Sequence, residues 1–389
     1  MSPRHSQYDM IFLGGGCAAL SLLVRVLRSG QFSKARFLVI DRVLKKSNDR
    51  TWCFWEKGVG YFESIVYRQW CQLDFYSTDY SSPLQLDGYC YKMIRGADFY
   101  AHCMEVLERS GQVEWVQASL TDVSRTGDQI MVKGFVESDT NFTWALTAPL
   151  VFNSIYKPAV TSTAHVDLLQ HFKGWVIETK TDSFDPQRAT LMDFTVSQQE
   201  GTTFVYVMPF STRRALVEYT LFTETLLTPE AYAQGLRKYI EDKLGIKDYT
   251  MVEEEFGIIP MTTHSFEFYQ EGIFNLGTAG GQTKASSGYT FQFIQKQSER
   301  IVQQLLQKKS LQDLRGDSRR FHFYDRVLLQ VLAKGYWPGD RVFARLFARN
   351  SASQIFRFLD NETKLAEEFS ILSSLPTGPF LRGAVDAIY

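Results

Sequence analysis

Three consecutive glycines near the start of the chain limit its possible folds more than any other feature. Residues 14–16 follow a short apolar stretch, residues 8–13, and precede a helical pattern. A second apolar stretch, residues 35–40, then ends in Asp41. Strand, glycine turn, helix and strand in this order predict a Rossmann-type βαβ unit at the head of a parallel sheet.

The glycine run also fits the dinucleotide-binding pattern G-x-G-x-x-G/A. Its first glycine permits a tight turn, and its third lets the backbone approach a pyrophosphate at the helix N-terminus. A carboxylate at the end of the second strand is placed to bind a ribose hydroxyl, which favours FAD or NAD over NADP. The candidate cofactor-binding residues are Gly14, Gly15, Gly16, Ala19 and Asp41.

A second glycine-rich passage, residues 274–289, precedes a long helical pattern. This arrangement favours FAD, because the N-terminus of the following helix could face a flavin. Most flavoproteins of this kind carry Asp where Thr278 stands. The further candidate residues are Gly277, Gly280, Gly281, Gly288 and Tyr289. Arg95, before a predicted helix, is either another cofactor contact or a solvated surface arginine.

Between the glycine passages the sequence alternates polar and apolar residues, and its final part is helical. We therefore predict an α/β fold: a Rossmann-type FAD-binding domain of the hydroxylase-like kind, an inserted antiparallel-sheet substrate domain and a helical C-terminal region. The FAD-binding domain is predicted to comprise residues 1–60, 92–160 and 255–310, the substrate domain residues 61–91 and 161–254, and the helical region residues 311–389.

Composition excludes several classes of protein. Lys and Arg number 42 against 43 Asp and Glu, so no global basic field favours nucleic acid. No His or Cys spacing predicts a metal site. The five cysteines are odd in number and irregularly spaced, which predicts reduced cytosolic thiols rather than disulfides. Residues 10–27 contain the glycines and Arg25, so we expect neither a signal peptide nor a membrane span.

Several segments in order resemble the lycopene cyclase family. They are NDRTWCFW at residues 48–55, LMDF at 191–194, FVYVMPFS at 204–211, LVEYT at 216–220, EFGIIPM at 255–261 and the late glycine passage at 280–289. The resemblance covers nearly the whole chain. It departs from the family pattern at Ala19, at Asn153-Ser154, and at Tyr219, where members carry a second carboxylate.

This resemblance implies a bacterial-type lycopene beta-cyclase, an isomerase. Such an enzyme converts the linear psi end groups of lycopene, or of another acyclic carotene, into beta rings without net redox change. The family uses reduced FAD, and NAD(P)H would serve as the reductant of the flavin. Two alternatives stay open: a flavin-dependent monooxygenase or prenyl/carotenoid reductase, and a non-catalytic carotenoid-binding flavoprotein.

Three carboxyl groups are candidates for the acid that starts such a cyclisation. Spacing alone favours a solvated Glu218 on a half-exposed strand, whereas the resemblance favours Glu218 as a buried general acid. Asp193 lies in an apolar strand, where it could hold a proton, pair with an arginine or orient the flavin. Glu255 ends a run of three glutamates that is most simply a solvated loop, yet it begins the family-like EFGIIPM segment.

Residues 326–357 interleave basic with apolar and aromatic side chains. The pattern fits either an amphipathic segment on a membrane surface or a helical cap whose apolar stripe is buried. Because lycopene is insoluble in water, the resemblance implies contact with a bilayer. We expect a cytoplasmic protein bound peripherally to the inner face of the cell membrane.

Overall fold

The structure is a computed structural model that describes residues 3–45, 47–136, 139–158, 166–314 and 319–388. Its strands are β1 (Met10–Leu13), β2 (Phe37–Asp41), β3 (Thr51–Lys57), β4 (Arg68–Trp70), β5 (Gln72–Tyr76), β6 (Ser81–Leu84), β7 (Tyr89–Arg95), β8 (Val113–Thr126), β9 (Gln129–Val136), β10 (Asp139–Ala148), β11 (Leu150–Asn153), β12 (Asp167–Thr179), β13 (Arg188–Asp193), β14 (Thr202–Pro209), β15 (Arg214–Thr223), β16 (Tyr249–Thr262), β17 (Tyr269–Gln270) and β18 (Ile273–Asn275). Its α-helices are α1 (Cys17–Arg28), α2 (Gly96–Ser110), α3 (Pro229–Lys238), α4 (Phe291–Leu306), α5 (Arg319–Ala333), α6 (Gly339–Arg349), α7 (Ala352–Leu359), α8 (Leu365–Ser373) and α9 (Thr377–Ile388).

An eight-stranded sheet contains the predicted βαβ opening. Its strand order is β10-β9-β8-β2-β1-β11-β18-β17, and the pairs from β8 to β18 are parallel. Strands β1 and β2 are buried along almost their whole length, as parallel strands covered on both faces require. Helix α1 joins these two strands, so the prediction of a Rossmann-type unit is confirmed.

A seven-stranded sheet, in the order β16-β12-β15-β14-β13-β5-β6, follows between the two glycine passages. Its strands are antiparallel from β16 to β13, while β13 and β5 pair in parallel. One face packs against α3, and the other face packs against the C-terminal helices. The mixed α/β fold with an antiparallel insert is therefore as predicted.

Strand β16 corrects one expectation about this sheet. The run of three glutamates was most simply a solvated loop, but it lies inside an edge strand that pairs with β12 over most of its length. Burial on an edge strand is partial, so its sequence lacks a clean apolar alternation. Residue 255, a predicted domain boundary, falls inside β16, and the predicted boundary at residues 160/161 lies outside the described residues. The division into domains stays a prediction.

The prediction that all cysteines stay reduced is wrong. Cys71 and Cys90 form a disulfide, whereas Cys17, Cys53 and Cys103 are free thiols. Strands β4 and β7 pair antiparallel in a small three-stranded sheet, with Trp70 opposite Tyr91. Cys71 follows Trp70 and Cys90 precedes Tyr91, so the two cysteines also lie opposite each other. Strand pairing brings the two thiols together, and neither the number of cysteines nor their spacing shows it.

The C-terminal region is helical, as predicted. Helix α6 covers the seven-stranded sheet, and Phe356 of α7 packs on Trp55 of the three-stranded sheet. Phe343 stacks on Phe194, and Phe347 stacks on Phe75, with ring centroids 5.3 and 4.6 Å apart. The apolar side of α6 is thus buried, as in the cap alternative for residues 326–357. Within the described ranges, no helix combines the length and apolar character needed to cross a membrane.

Candidate active site

Four residues stand side by side across four neighbouring strands of the seven-stranded sheet. Tyr206 on β14 pairs with Glu218 on β15, which pairs with Gly174 on β12, which pairs with Glu255 on β16. Laterally paired residues project from the same face of a sheet, so both carboxyl groups lie on one face. Gly174 has no side chain between them, and the two carboxyl groups lie within hydrogen-bonding reach of each other.

Gly174 leaves the space into which the Glu255 side chain leans. A Cβ atom at Gly174 would lie 2.8 Å from Cγ and 3.0 Å from Oε1 of Glu255. It would also lie 2.9 Å from Cδ1 of Leu216, the residue two positions before Glu218. Any larger residue at this position would therefore push Glu255 away from Glu218.

Two threonine hydroxyls fix the outer oxygens of the pair. Thr220 donates to Oε1 of Glu218 over 2.9 Å, and Thr51 donates to Oε2 of Glu255 over 2.7 Å. Oε1 of Glu255 is buried and accepts no hydrogen bond from the N–H and hydroxyl groups of the described residues. That oxygen faces the space above Gly174, where it is available for a hydrogen bond with the carboxyl group of Glu218.

The environment separates the protonation states of the two carboxyl groups. Glu218 is 8% exposed. Burial raises the pKa of Glu218 well above the usual range of a glutamic acid, and the charge of Glu255 raises it further. Burial also raises the pKa of Glu255, but hydrogen bonds from Thr51 and Glu218 lower it. These effects favour one proton shared by the pair and make Glu218 the more basic of the two carboxyl groups.

Tyr219 lies on the opposite face of β15. Its ring packs against Gly235 of α3, where an added Cβ would lie 2.8 Å from Cζ of the tyrosine. The family pattern has a second carboxylate at this position, and strand alternation turns it away from Glu218. In this chain the second carboxylate near Glu218 comes from Glu255 on a strand two places away in the sheet.

Aromatic side chains and a thiol surround the carboxyl pair. The hydroxyls of Tyr91 and Tyr289 lie 3.1 Å apart, and the Trp55 ring centroid lies 4.3 Å from that of Tyr289. Burial raises the pKa of Tyr91, Tyr206 and Tyr289 and also that of the Cys53 thiol, so all four stay neutral. On this side the carboxyl pair is therefore bordered by uncharged, mainly aromatic side chains.

The first glycine turn forms an open cradle at the N-terminus of α1. Gly14 has a φ of +87°, a left-handed conformation that favours glycine. The N–H of Gly15 donates to Oδ2 of Asp41 over 2.7 Å. A Cβ atom on Gly16 would contact nothing within 4 Å, whereas Ala19 is buried inside the helix packing. The free space beside Gly16 and the positive end of the α1 dipole fit the pyrophosphate of a dinucleotide.

The late glycine passage packs directly on this cradle. A Cβ atom on Gly277 would lie 2.9 Å from Cβ of Ala18 in α1, so the two glycine passages meet. Gly281 and Gly288 adopt φ angles of +76° and +71°, which favour glycine, and Gly280 approaches the carbonyl of Asn275.

Orphaned polar atoms lie along the late passage. Oε1 of Gln282 and Oγ of Ser287 are buried and have no hydrogen-bond partner in the described part of the chain. The same holds for Oε1 of Gln170, and a Cβ atom on Gly288 would lie 2.1 Å from it. Since buried polar groups normally find partners, these atoms fit a polar group bound between the passage and the sheet. The residues present therefore fit FAD.

Arg95 lies at the junction of these parts. Its guanidinium pairs with Asp98 over 2.7 Å and stacks on the ring of Tyr67. Together with Thr51 and Glu255 it lines a small cavity between the three-stranded and the seven-stranded sheets. The structure thus brings Arg95 near the carboxyl pair.

Asp193 lies elsewhere. It pairs laterally with Val205, on the face of β14 that packs against α3, and accepts hydrogen bonds from the Tyr239 hydroxyl at 2.8 Å and from Thr195. The structure does not bring Asp193 to the Glu218–Glu255 pair. Its hydrogen bonds explain how a carboxylate is accommodated at a position that is 1% exposed.

Three residues of the site were missed in the sequence: Thr51, Gly174 and Thr220. The i, i+2 spacing of Glu218 and Thr220 on one strand could have indicated their contact. Thr51 belongs to the family-like NDRTWCFW segment, so the resemblance indicated the segment but not its hydrogen bond to Glu255. No local signal indicates Gly174, because its position between the glutamates depends on the pairing of three distant strands.

Solved structures with a similar fold define the class of protein. A geranylgeranyl bacteriochlorophyll reductase-like protein from Thermoplasma acidophilum has a TM-score of 0.61 and 12% identity over 98% of this chain and 99% of its own. A flavoprotein/dehydrogenase from Cytophaga hutchinsonii has a TM-score of 0.60 and 14% identity over 98% and 99%. The myxobacterial FAD-dependent halogenase CndH has a TM-score of 0.54 and 14% identity over 97% and 99%. The chain has the fold of the FAD-dependent reductases, monooxygenases and halogenases.

The sequence defines the family within this class. The family model described as "Lycopene cyclase protein" matches residues 9–385, so the chain belongs to that family and is an enzyme of the cyclase type. It is 24% identical to a lycopene beta-cyclase of Pantoea ananas over 98% of both chains. It is 28% identical to a lycopene beta-cyclase of a Paracoccus species, over 54% of this chain and 57% of that protein.

Proposed function

We propose that the protein is a lycopene beta-cyclase that converts the linear psi end groups of lycopene into beta rings, giving gamma-carotene and beta-carotene. The observation that carries this proposal is the buried Glu218–Glu255 pair, which keeps one carboxylic acid protonated between aromatic walls. Cyclisation of a psi end requires such an acid, because it begins with a proton added to an unactivated double bond. The family and the names of the two relatives support the substrate.

In this mechanism Glu218 delivers its proton to the terminal double bond of the carotene. The neighbouring double bond attacks the resulting tertiary carbocation, and a proton leaves the new ring. Once Glu218 has lost its proton, two carboxylates stand together in a buried site, an arrangement that strongly favours uptake of a proton. The pair therefore takes back the proton released from the ring, and the substrate formula is unchanged.

The walls of the site stabilise the cation without reacting with it. The rings of Tyr206 and Tyr289 beside the carboxyl pair would stabilise positive charge, and cation–π interactions contribute roughly 0.5–2 kcal/mol each. Because the tyrosines and the Cys53 thiol stay neutral, they are poor nucleophiles toward the cation. The carboxylates are tied by Thr51 and Thr220, which holds them in position for proton transfer.

We propose that FAD is held between the two glycine passages. Gly14, Gly15, Gly16, Ala19 and Asp41 would bind its pyrophosphate and ribose, and Gly277, Gly280, Gly281, Gly288 and Tyr289, with Arg95, would lie toward the flavin. Reduced FAD would supply negative charge beside the developing cation, and NAD(P)H is the proposed reductant. We further propose that the enzyme acts at a bilayer, on the inner face of the cell membrane, where a carotene dissolves.

Expression in cells that accumulate lycopene tests the proposed function. Pigment chromatography should detect gamma- and beta-carotene with the wild-type protein, and lycopene should remain with Glu218→Gln. This substitution keeps the size and removes the titratable proton, so the rate should fall by about 100- to 10,000-fold. The purified variant should keep the absorbance of bound FAD.

Two results would contradict the proposal. Unchanged lycopene with the folded, FAD-loaded wild type would indicate a non-catalytic carotenoid-binding flavoprotein. A pigment that has gained oxygen or hydrogen would indicate a monooxygenase or a reductase.

A further inference from the structure

The last two helices expose apolar side chains in regular stripes. On α8 the residues at i, i+4 and i+7, Leu365, Phe369 and Leu372, are 68%, 76% and 36% exposed. On α9 the residues with the same spacing, Leu381, Val385 and Ile388, are 61%, 55% and 66% exposed. Each helix therefore turns a row of large apolar side chains toward solvent, which marks an interaction surface.

The basic segment before these helices is different. In α6 the apolar residues Val342, Phe343 and Phe347 are buried against the seven-stranded sheet, and Arg341 is paired with Asp79. The exposed apolar surface thus begins only with α8. We call the exposed stripes of α8 and α9 together the C-terminal face.

The charges around the C-terminal face are unbalanced in favour of cations. Its carboxylates are held in ion pairs with groups from other helices: Glu367 with Arg357, Glu368 with Arg320, and Asp386 with Lys334. Lys364 is exposed and has no ion-pair partner among the residues that the structure describes. Arg382 is also exposed, stacks on the ring of Tyr336 at 4.6 Å and lies near Asp386, which Lys334 already pairs. An apolar face with more cations than carboxylates complements an anionic apolar partner.

We propose that the C-terminal face docks the enzyme on an anionic lipid bilayer. Apolar side chains would enter the boundary of the acyl chains while Lys364 and Arg382 meet lipid phosphates. A symmetric contact with a second copy is less favourable, because it would bring the excess cations of both copies into one interface. The proposal deepens the proposed function, since a carotene substrate is dissolved in the bilayer.

Helix α7 connects this face with the candidate site. It ends shortly before α8, and its Phe356 ring is parallel to that of Trp55 with centroids 4.6 Å apart. Trp55 in turn packs on Tyr289 beside the carboxyl pair. Docking through α8 and α9 would therefore bring the aromatic side of the site toward the membrane.

Vesicle sedimentation tests the docking with full-length, FAD-loaded protein and without any carotene. The probes are vesicles of phosphatidylglycerol with phosphatidylethanolamine and vesicles of phosphatidylcholine. Phe369→Gln with Leu381→Gln should weaken binding to both by about 100-fold, because each large apolar side chain that leaves the bilayer removes roughly a factor of ten. Lys364→Gln with Arg382→Gln should weaken binding to the anionic vesicles alone, by roughly a factor of five per charge.

The matched control replaces two other exposed apolar residues, Val43→Gln and Val59→Gln, which are 61% and 86% exposed in the wild type. This control should bind vesicles like the wild type. Equal binding by the Phe369/Leu381 variant and the wild type would overturn the proposal. So would a wild-type dimer in sedimentation velocity that this variant converts to a monomer without loss of vesicle binding.

Activity separates a failure of docking from a failure of the proposed function. With lycopene in detergent micelles, the Phe369/Leu381 variant should cyclise at the wild-type rate, and with lycopene in vesicles it should be at least about tenfold slower. Equal rates in vesicles would overturn the docking proposal only. No cyclisation by the wild type in either medium would contradict the proposed function, whereas vesicle binding would still test the docking.

Discussion

At the scale of single residues, the three consecutive glutamates of β16, residues 253–255, make different contacts although their side chains are identical. Glu253 pairs with Arg214, and Glu254 pairs with Lys173 on the opposite face of β16. Only Glu255 points over Gly174 toward Glu218. The pairing of β16 with β12, rather than the local sequence, selects the residue that joins the site.

Glu255→Gln should change the pH dependence of cyclisation. The negative charge of Glu255 helps to raise the pKa of Glu218, so removing that charge should lower this pKa. In the proposed mechanism the reaction needs protonated Glu218, so its rate would fall as the pH rises through that pKa. The alkaline limb of the kcat/KM profile should therefore move to lower pH. Glu254→Gln, on the opposite face of β16, is the matched control and should leave the limb in place. An unmoved limb in Glu255→Gln would show that the two groups are not coupled.

Gly174→Ala should slow cyclisation by about tenfold to a hundredfold, because small displacements of catalytic groups have effects of this size. The added Cβ would displace Glu255, because it would lie only 2.8 Å from Cγ of that residue. If Gly174 acts through Glu255, the same substitution should have little further effect in a Glu255→Gln background. Additive losses of rate in this double-mutant cycle would mean that Gly174→Ala acts through general distortion of the sheet.

At the scale of elements, features formed by segments adjacent in sequence were predictable, whereas features formed by distant segments were not. The βαβ opening was predictable because strand, glycine turn and helix follow one another within residues 10–41. Helix α6 was predicted as helical, but the sequence left open which side its apolar stripe faces. The Cys71–Cys90 disulfide and the contact of Glu218 with Glu255 were not predictable, since both depend on strand pairing between segments distant in sequence.

His171 joins β12, β15 and α3 and makes their packing sensitive to pH. Its Nδ1 lies 2.5 Å from the hydroxyl of Tyr232 and its Nε2 lies 2.6 Å from that of Thr223. Burial lowers the pKa of His171 from 6.5 to about 4. The unfolded chain therefore takes up this proton first as the pH falls. The contribution of His171 to the free energy of unfolding is fully present above about pH 6.5 and is lost progressively as the pH falls toward 4.

Between pH 7 and pH 5 this group alone should reduce the free energy of unfolding by about 2 kcal/mol. Urea denaturation at both values measures the loss. In His171→Gln, the free energy of unfolding should differ between pH 7 and pH 5 by about 2 kcal/mol less than in the wild type, although this variant is less stable at pH 7. An equal pH dependence in both proteins would mean that His171 is protonated without a loss of packing.

At the scale of the whole molecule, the candidate site forms where separate parts of the chain meet. The seven-stranded sheet provides Glu218, Gly174 and Glu255, the three-stranded sheet provides Thr51, and the late glycine passage provides Tyr289. The glycine cradle of the eight-stranded sheet contacts that same late passage through Gly277. A cofactor bound in the cradle would thus reach the face of the sheet that carries the acid.

The proposed mechanism predicts a reaction that uses a redox cofactor without net redox change. In that mechanism one proton leaves Glu218 and one proton returns to the carboxyl pair, so the substrate would neither gain nor lose electrons. With pre-reduced FAD under anaerobic conditions, repeated turnover should proceed without stoichiometric use of NAD(P)H, and in deuterated water each new ring should gain deuterium from the solvent. Glu218→Gln with the same reduced FAD is the control and should remain inactive. Consumption of one NAD(P)H per ring would instead identify a reductase or a monooxygenase on the same fold.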